Sequence, residues 1–256
     1  MRIPNSHMHI GSRRRWPVLR SAARRVGRRW LAWRFRHFDP DNEPERDTRV
    51  AGLKLRVLPD VFNPSLHFTS SFFARYLKES GMVRPHMSVL DLGTGSGVLA
   101  IAAALSGAGS VVAIDINPAA VDCARRNAKR YGLDKVIAVR QGNMFEPVAG
   151  EKFDLVVCNP PYLRGEPQSV AGYAYWGGAN LEWLAGFGEQ LHAHLAPGGA
   201  AILSIGDVAD LEAILGIISG CGWQVEESAR RDILFEIIHL FRLTEASEME
   251  SVGHRT

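Results

Sequence analysis

From residue 52 onward, short apolar runs alternate with longer stretches in which apolar residues recur every three or four positions. Short runs rich in β-branched residues predict strands, and a 3.6-residue period predicts amphipathic helices. Strands are expected at 88–92, 110–115, 136–141, 154–158 and 199–205, and helices at 69–80, 96–105, 118–130, 181–195 and 207–219. Pro118 suits a first helical turn, where its missing N–H leaves nothing unsatisfied, and Gly198-Gly199 suits a turn back into a strand. Such alternation predicts an α/β fold built on one mostly parallel, Rossmann-like sheet with helices on both faces. The tail breaks the alternation: 223–228 and 235–243 read as successive strands, and their short connection predicts an antiparallel closing hairpin. Ligands of such sheets bind beyond the carboxyl ends of the strands, near the point where strand order reverses.

Upstream of residue 50 the pattern is different. Residues 1–38 hold eleven arginines and no acid, so the net charge of +3 divides into an arm of +11 and a remainder of −8. Within the arm Trp16, Leu19, Ala23, Val26, Trp30 and Trp33 fall on one helical face with arginines between them. Four readings fit: a helix packed on the body, a nucleic-acid or ribosome contact, a membrane-surface helix, and an organellar transit peptide. The stretch 37–47 (HFDPDNEPERD) is polar and proline-containing and reads as a linker. The expected organisation is an arm and linker at 1–50, a domain at 51–245 and a polar tail at 246–256.

With 256 residues there is room for one generous domain plus an appendage. A composition of 46% hydrophobic and 22% charged residues excludes wholesale disorder and low-complexity scaffolding. No apolar stretch approaches the roughly 18 residues of a membrane span. Cys123, Cys158 and Cys221 form no C-x-x-C pair and the histidines form no metal-binding spacing, so neither a disulfide framework nor a metal site is indicated. A soluble, cytoplasmic protein is expected.

The candidate chemistry lies at the strand ends. Val89-Leu90-Asp91-Leu92-Gly93-Thr94-Gly95-Ser96-Gly97 places three alternating glycines between a strand and a helix, where bare backbone can approach a ligand. The next strand ends in Asp115, near the position of a carboxylate that accepts the hydroxyls of an adenosine ribose. Val98 breaks the G-x-G-x-x-G dinucleotide fingerprint, and the Gly-Lys-Ser/Thr of a P-loop is absent. Asp91 ahead of the loop would repel a pyrophosphate, but it suits the ammonium group of an amino-acid nucleoside, directly or through water.

This combination resembles the class I S-adenosylmethionine-dependent methyltransferases. The resemblance implies a seven-stranded sheet with an antiparallel last strand, and S-adenosyl-L-methionine as cofactor. It also implies a cofactor-binding set of Asp91, Gly93, Thr94, Gly95, Gly97, Asp115, Ile116, Asn143, Met144 and Asn159. The three glycines would meet the methionine part, Asp115 would hold the ribose, and Asn143, where an acid is common in the family, would lie beside adenine.

The fourth strand runs into Asn159-Pro160-Pro161-Tyr162. Two prolines stop the ladder and stiffen the chain, so the Asn159 side chain and the Pro160 carbonyl become fixed acceptors. An amide or aromatic amino nitrogen is a poor nucleophile because its lone pair is delocalised. Two acceptors gripping both N–H bonds orient it and stabilise developing positive charge, while Tyr162 offers a face for stacking. Asn159, Pro160 and Tyr162 are thus the catalytic candidates, and with Pro161 they form the candidate acceptor site.

Asn-Pro-Pro-Tyr resembles two groups of N-methyltransferases, the HemK/PrmC-like protein glutamine enzymes and those acting on the amino group of adenine or guanine in nucleic acids. The stretches Gly177-Gly178-Ala179-Asn180-Leu181, Leu195-Ala196-Pro197-Gly198-Gly199 and Val61-Phe62-Asn63-Pro64 are similar to the HemK-like enzymes. Ser65-Leu66-His67-Phe68-Thr69 departs from their acid-Thr pair, and an arginine-rich arm stands where they carry a helical recognition domain. The implied partner is a protein of translation, a release factor or ribosomal protein, with adenine or guanine of RNA or DNA as the alternative acceptor. A non-catalytic RNA-binding protein is the reading from another class.

Overall fold

In the computed structural model of the chain, the described residues are 44–65, 68–233 and 236–245. The arginine arm, His67 and the tail 246–256 lie outside them. A seven-stranded sheet forms from β3 (Ser88–Leu92), β4 (Ser110–Asp115), β5 (Ile137–Gln141), β6 (Phe153–Cys158), β7 (Leu195–Gly206), β8 (Trp223–Asp232) and β9 (Ile237–Glu245). Its order is β5-β4-β3-β6-β7-β9-β8. Neighbours from β5 to β7 pair in parallel, and β9 inserts antiparallel to both β7 and β8. β9 is therefore the one reversed strand of this sheet among the described residues. Strand order switches direction between β3 and β6, so the carboxyl ends of these two strands open side by side.

Helices cover both faces: α1 (Phe68–Glu79), α2 (Val98–Leu105), α3 (Pro118–Arg130), α4 (Glu182–His194) and α5 (Leu211–Gly220). Period-2 alternation sends Leu155 and Val157 of β6 into the layer under α1 and α2, and Val156 and Cys158 into the layer with α4 and α5. Because both faces are covered, the central strands read as continuous apolar runs.

Several boundaries differ from the sequence expectation. α2 starts at Val98 rather than at residue 96, because Gly97 before it is left-handed. α5 starts at Leu211 rather than 207, where Asp210 caps it by accepting from the Ala213 N–H at 3.2 Å. β7 extends back to Leu195 through a register shift against β6, and β8 is longer than expected because a bulge at Glu227/Ala229 keeps it paired to β9.

An unexpected hairpin precedes the sheet. β1 (Arg46–Val50) pairs antiparallel with β2 (Leu53–Val57), crossing the position where composition suggests a linker end. Its turn residues Ala51 and Gly52 have φ of 49° and 84°, the left-handed pair that a two-residue hairpin demands. The buried Asn127 of α3 clamps this hairpin in place: its Oδ1 accepts from the Arg56 N–H at 2.9 Å, and its Nδ2 donates to the Arg56 carbonyl at 2.8 Å and the Ser96 carbonyl at 2.9 Å. One side chain thus ties the hairpin to the glycine loop.

Candidate active site

The loop after β3 is shaped by its glycines, since Gly93, Gly95 and Gly97 all have positive φ, at 74°, 53° and 82°. The Gly93 and Thr94 N–H groups both donate to the Ile114 carbonyl at 2.9 Å, which ties the loop to β4. The Gly95 N–H donates to Asp115 Oδ2 at 2.8 Å, and the Asn117 N–H donates to Asp115 Oδ1 at 2.9 Å. Each Asp115 oxygen therefore holds one backbone donor and keeps lone pairs free to accept hydroxyls. Burial raises the pKa of the Asp115 carboxyl, and these backbone donors offset only part of the rise.

Asp91 is fully buried behind the loop rather than in the cleft wall. Its Oδ2 accepts from Thr94 Oγ at 2.7 Å and from the Ala100 N–H in the first turn of α2 at 2.9 Å. α2 has no side-chain cap at Gly97, so Asp91 satisfies one of its orphan donors from a distance. Its Oδ1 has no partner. Burial pushes its pKa up to about 7, against the opposing pull of Thr94 and Ala100.

A cleft opens above the loop. Its walls include Gly93, Thr94, Gly95, Asp115, Ile116, Asn143, Met144, Asn159 and Pro161. Gly97, like Asp91, stands behind it, where a Cβ would lie 3.2 Å from the Ala124 Cα and Cβ. Ile116 leaves an exposed apolar face beside Asp115, suited to a flat ring. Met144 holds a left-handed φ of 48°, which turns the chain after β5 across the cleft mouth.

Pro160 and Tyr162 open instead onto a second hollow, lined also by Phe62, Thr69, Asn159, Leu163, Ala174 and Tyr175. Asn159, Phe62 and Ala174 wall both hollows. The Ser204 hydroxyl donates to Asn159 Oδ1 at 2.7 Å. The Tyr162 hydroxyl lies within hydrogen-bonding reach of the Thr69 side chain and the Gly206 backbone. Burial, and secondarily the Glu236 carboxylate, push its pKa far above the usual phenol range, so Tyr162 stays neutral and is no base.

The structure thus brings every candidate residue to one corner, with Asp91 and Gly97 in support behind the loop. Local reasoning did not find Ser204, Phe62, Thr69 or Tyr175. Ser204 reaches Asn159 only because Leu203 pairs with Cys158 across β6 and β7, a register no local motif announces. Tyr173 walls the cofactor-side cleft, and Trp176 packs the connection through its bridge with Leu163. His192 and His194 are packing residues, stacked on Trp223 and Phe145 at ring distances of 4.0 and 4.5 Å.

The family model described as ribosomal protein L11 methyltransferase (PrmA) matches residues 66–160. A Methanocaldococcus jannaschii protein with the provisional description protein N5-glutamine methyltransferase is 33% identical over 202 residues, 76% of this chain and 98% of that one. The chain belongs to the HemK/PrmC-like family of S-adenosylmethionine-dependent methyltransferases. This methyltransferase is also 42% identical over 131 residues to the release factor glutamine methyltransferase of Xylella fastidiosa. There the match covers 46% of each chain, so it spans about half the length of that relative. Among solved structures, the ribosomal protein L11 methylase of Lactobacillus delbrueckii subsp. bulgaricus superimposes with a TM-score of 0.54 at 30% identity, over 71% of this chain and 80% of that one.

The cofactor of this family is S-adenosyl-L-methionine, and the residues present fit it. Bare glycine backbone, the free lone pairs of Asp115 and the exposed face of Ile116 offer what an amino acid, a ribose and a flat base require. Membership in a methyltransferase family sets aside the reading of a non-catalytic RNA-binding protein.

Proposed function

We propose that this methyltransferase places a methyl group on the side-chain amide nitrogen of a glutamine in a protein of the translation machinery. The observation that carries the reading is Asn159, a wall of both the cofactor-side cleft and the aromatic hollow beside it. The cofactor supplies an electrophilic methyl group on a sulfonium. The glycine loop and Asp115 hold it, with Ile116, Asn143 and Met144 at the base. Asn159 Oδ1 and the Pro160 carbonyl grip the two N–H bonds of the acceptor, and Tyr162 and Tyr175 border its planar group. Positioning and stabilisation of developing charge take the place of a general base, and the surplus proton of the methylated nitrogen is lost to solvent.

The relatives' descriptions support glutamine as the acceptor, since one is a protein N5-glutamine and another a release factor glutamine methyltransferase. Such a substrate places the enzyme's work in the cytoplasm. Among the described residues no helix is long and apolar enough to cross a membrane.

The test is incubation with methyl-labelled cofactor and, separately, the protein and RNA fractions of a cell extract. Label in a release factor or ribosomal protein, mapped to a glutamine, is the expected result. Label confined to adenine or guanine amino groups would overturn the glutamine assignment.

A further inference from the structure

The body of this protein is acidic, but its charge is segregated. β1, β2 and α3 carry eight Arg or Lys and two Asp, whereas the other described residues carry ten Arg or Lys against twenty Asp or Glu. Asn127 and Tyr131 fasten β2 to the end of α3, which brings the basic residues of the hairpin beside those of the helix. Arg56, Arg126 and Arg130 converge with Asn127 and Asp47 around a shallow surface depression. Asp47 pairs with both Arg56, at 3.4 Å, and Arg130, at 3.0 Å.

Three further cations have no such compensation. Among the described residues no carboxylate pairs with Arg49, Lys54 or Lys129, and Arg49 stands directly opposite Lys54 across the hairpin. Like charges facing each other across a strand pair are destabilising, so folding alone does not account for this pairing. A polyanion lying over the hairpin would turn the repulsion into binding.

We propose that the β1–β2–α3 face is an RNA-binding surface, distinct from the methyl-transfer site. Two properties favour RNA over a membrane or an acidic protein. None of the large exposed apolar side chains of the described residues lies on these elements, so the face itself offers no apolar group to insert into lipid. The guanidiniums at the depression are already paired, Arg56 with Glu45 and Asp47, Arg126 with Asp122 and Arg130 with Asp47, so the charge left to bind is that of Arg49, Lys54 and Lys129, which a phosphate backbone neutralises without displacing an internal ion pair.

The placement relative to the catalytic corner is also defined. α3 begins in the cofactor cleft wall at Asn117 and Ala120, and a rise of 1.5 Å per residue puts Lys129 about 14 Å further along its axis. RNA on this face therefore leaves the cleft open, and it can belong to the particle that presents the acceptor.

The experiment measures fluorescence anisotropy of a labelled oligouridine of about 20 nucleotides, longer than the site sizes usual for such grooves, with the full chain between about 50 and 200 mM salt. The face variant is Lys54→Glu with Lys129→Glu. Its control, Arg230→Glu with Arg231→Glu on β8, makes the same change in net charge elsewhere on exposed positions. The expected result is a loss of about tenfold or more for the face variant, with a salt slope shallower by about 1.4 for two lost phosphate contacts. The control should bind nearly as the parent does, and cofactor affinity should be unchanged in both. The neutral pair Arg49→Gln with Lys54→Gln should weaken RNA in the same direction, which guards against misfolding of the glutamate variant. Equal losses for face variant and control, unaltered RNA affinity in both face variants, equal competition by polyglutamate, or binding to phosphatidylserine vesicles in place of RNA would each overturn the proposal.

Discussion

The Ser204 hydroxyl donates to Asn159 Oδ1 at 2.7 Å across the β6–β7 pair. This bond fixes which end of the carboxamide is the acceptor, because a carbonyl oxygen with one lone pair on Ser204 keeps the other for an incoming N–H. Ser204 is fully buried and so positions Asn159 without facing either hollow. Ser204→Ala should lower kcat by roughly five- to tenfold, matching the 1–1.5 kcal/mol of a typical hydrogen bond. Cofactor affinity by calorimetry should not move, and Ser204→Thr should recover most of the rate. A parallel fall in cofactor affinity would make Ser204 a general packing residue instead.

Asp115 joins the Gly95 and Asn117 N–H groups under the cleft floor. Asp115→Ala removes both the carboxylate offered to the ribose and the pin on the loop. Cofactor affinity should fall by about ten- to hundredfold, the 1.5–3 kcal/mol range of hydrogen bonds to a charged group. Calorimetry showing parent-like affinity would move the ribose elsewhere.

Asp91 gives a pH dependence whose direction is fixed by its burial. Its folded pKa is pushed up to about 7 from a usual value of 3.8, so the native state keeps a proton that the unfolded chain has already released. Stability therefore falls as pH rises from about 4 towards 7 and levels off above that. The loss is at most about 4 kcal/mol, from roughly three pKa units at 1.36 kcal/mol each. Urea unfolding at pH 5 and pH 8 should show the parent losing more stability than Asp91→Asn, whose amide has no charge to bury. Identical pH profiles would remove Asp91 as the cause.

Gly97 is needed for its backbone rather than for contact with the cleft. Its φ of 82° is left-handed, and a Cβ there would lie 3.2 Å from the Ala124 Cα and Cβ. Gly97→Ala should cost roughly 2 kcal/mol, the upper end for a left-handed non-glycine residue. The variant should also weaken cofactor binding, because the loop and the start of α2 must shift together. Denaturation and calorimetry on one sample would test both effects.

Much of this architecture is legible in the chain because its signals are local. Gly93 to Gly97, Asp115 and Asn159 to Tyr162 each end a predicted strand, and in a parallel sheet all strand ends carrying such motifs face one edge. The features that escaped local reading depend on tertiary placement. Asp91 reads as a cofactor contact, but the fold sets it behind the loop, where the α2 N-terminus needs an acceptor. Ser204 looks like any polar residue in a strand until the β6–β7 register is known. The β1–β2 hairpin stayed hidden because Arg46-Asp47-Thr48-Arg49 is too polar to suggest a strand, although Leu53, Leu55 and Val57 already alternate with Lys54 and Arg56.

The central claim is that Asn159 serves both hollows and orients a planar nitrogen towards the methyl donor. Single-turnover methyl transfer by Asn159→Ala, with cofactor affinity measured on the same preparation, tests it most directly. The expected result is a rate at saturating cofactor lower by roughly 100-fold, comparable to the loss of one transition-state-stabilising group of about 3 kcal/mol, with a much smaller fall in cofactor affinity. Parent-like transfer by this variant would contradict the account.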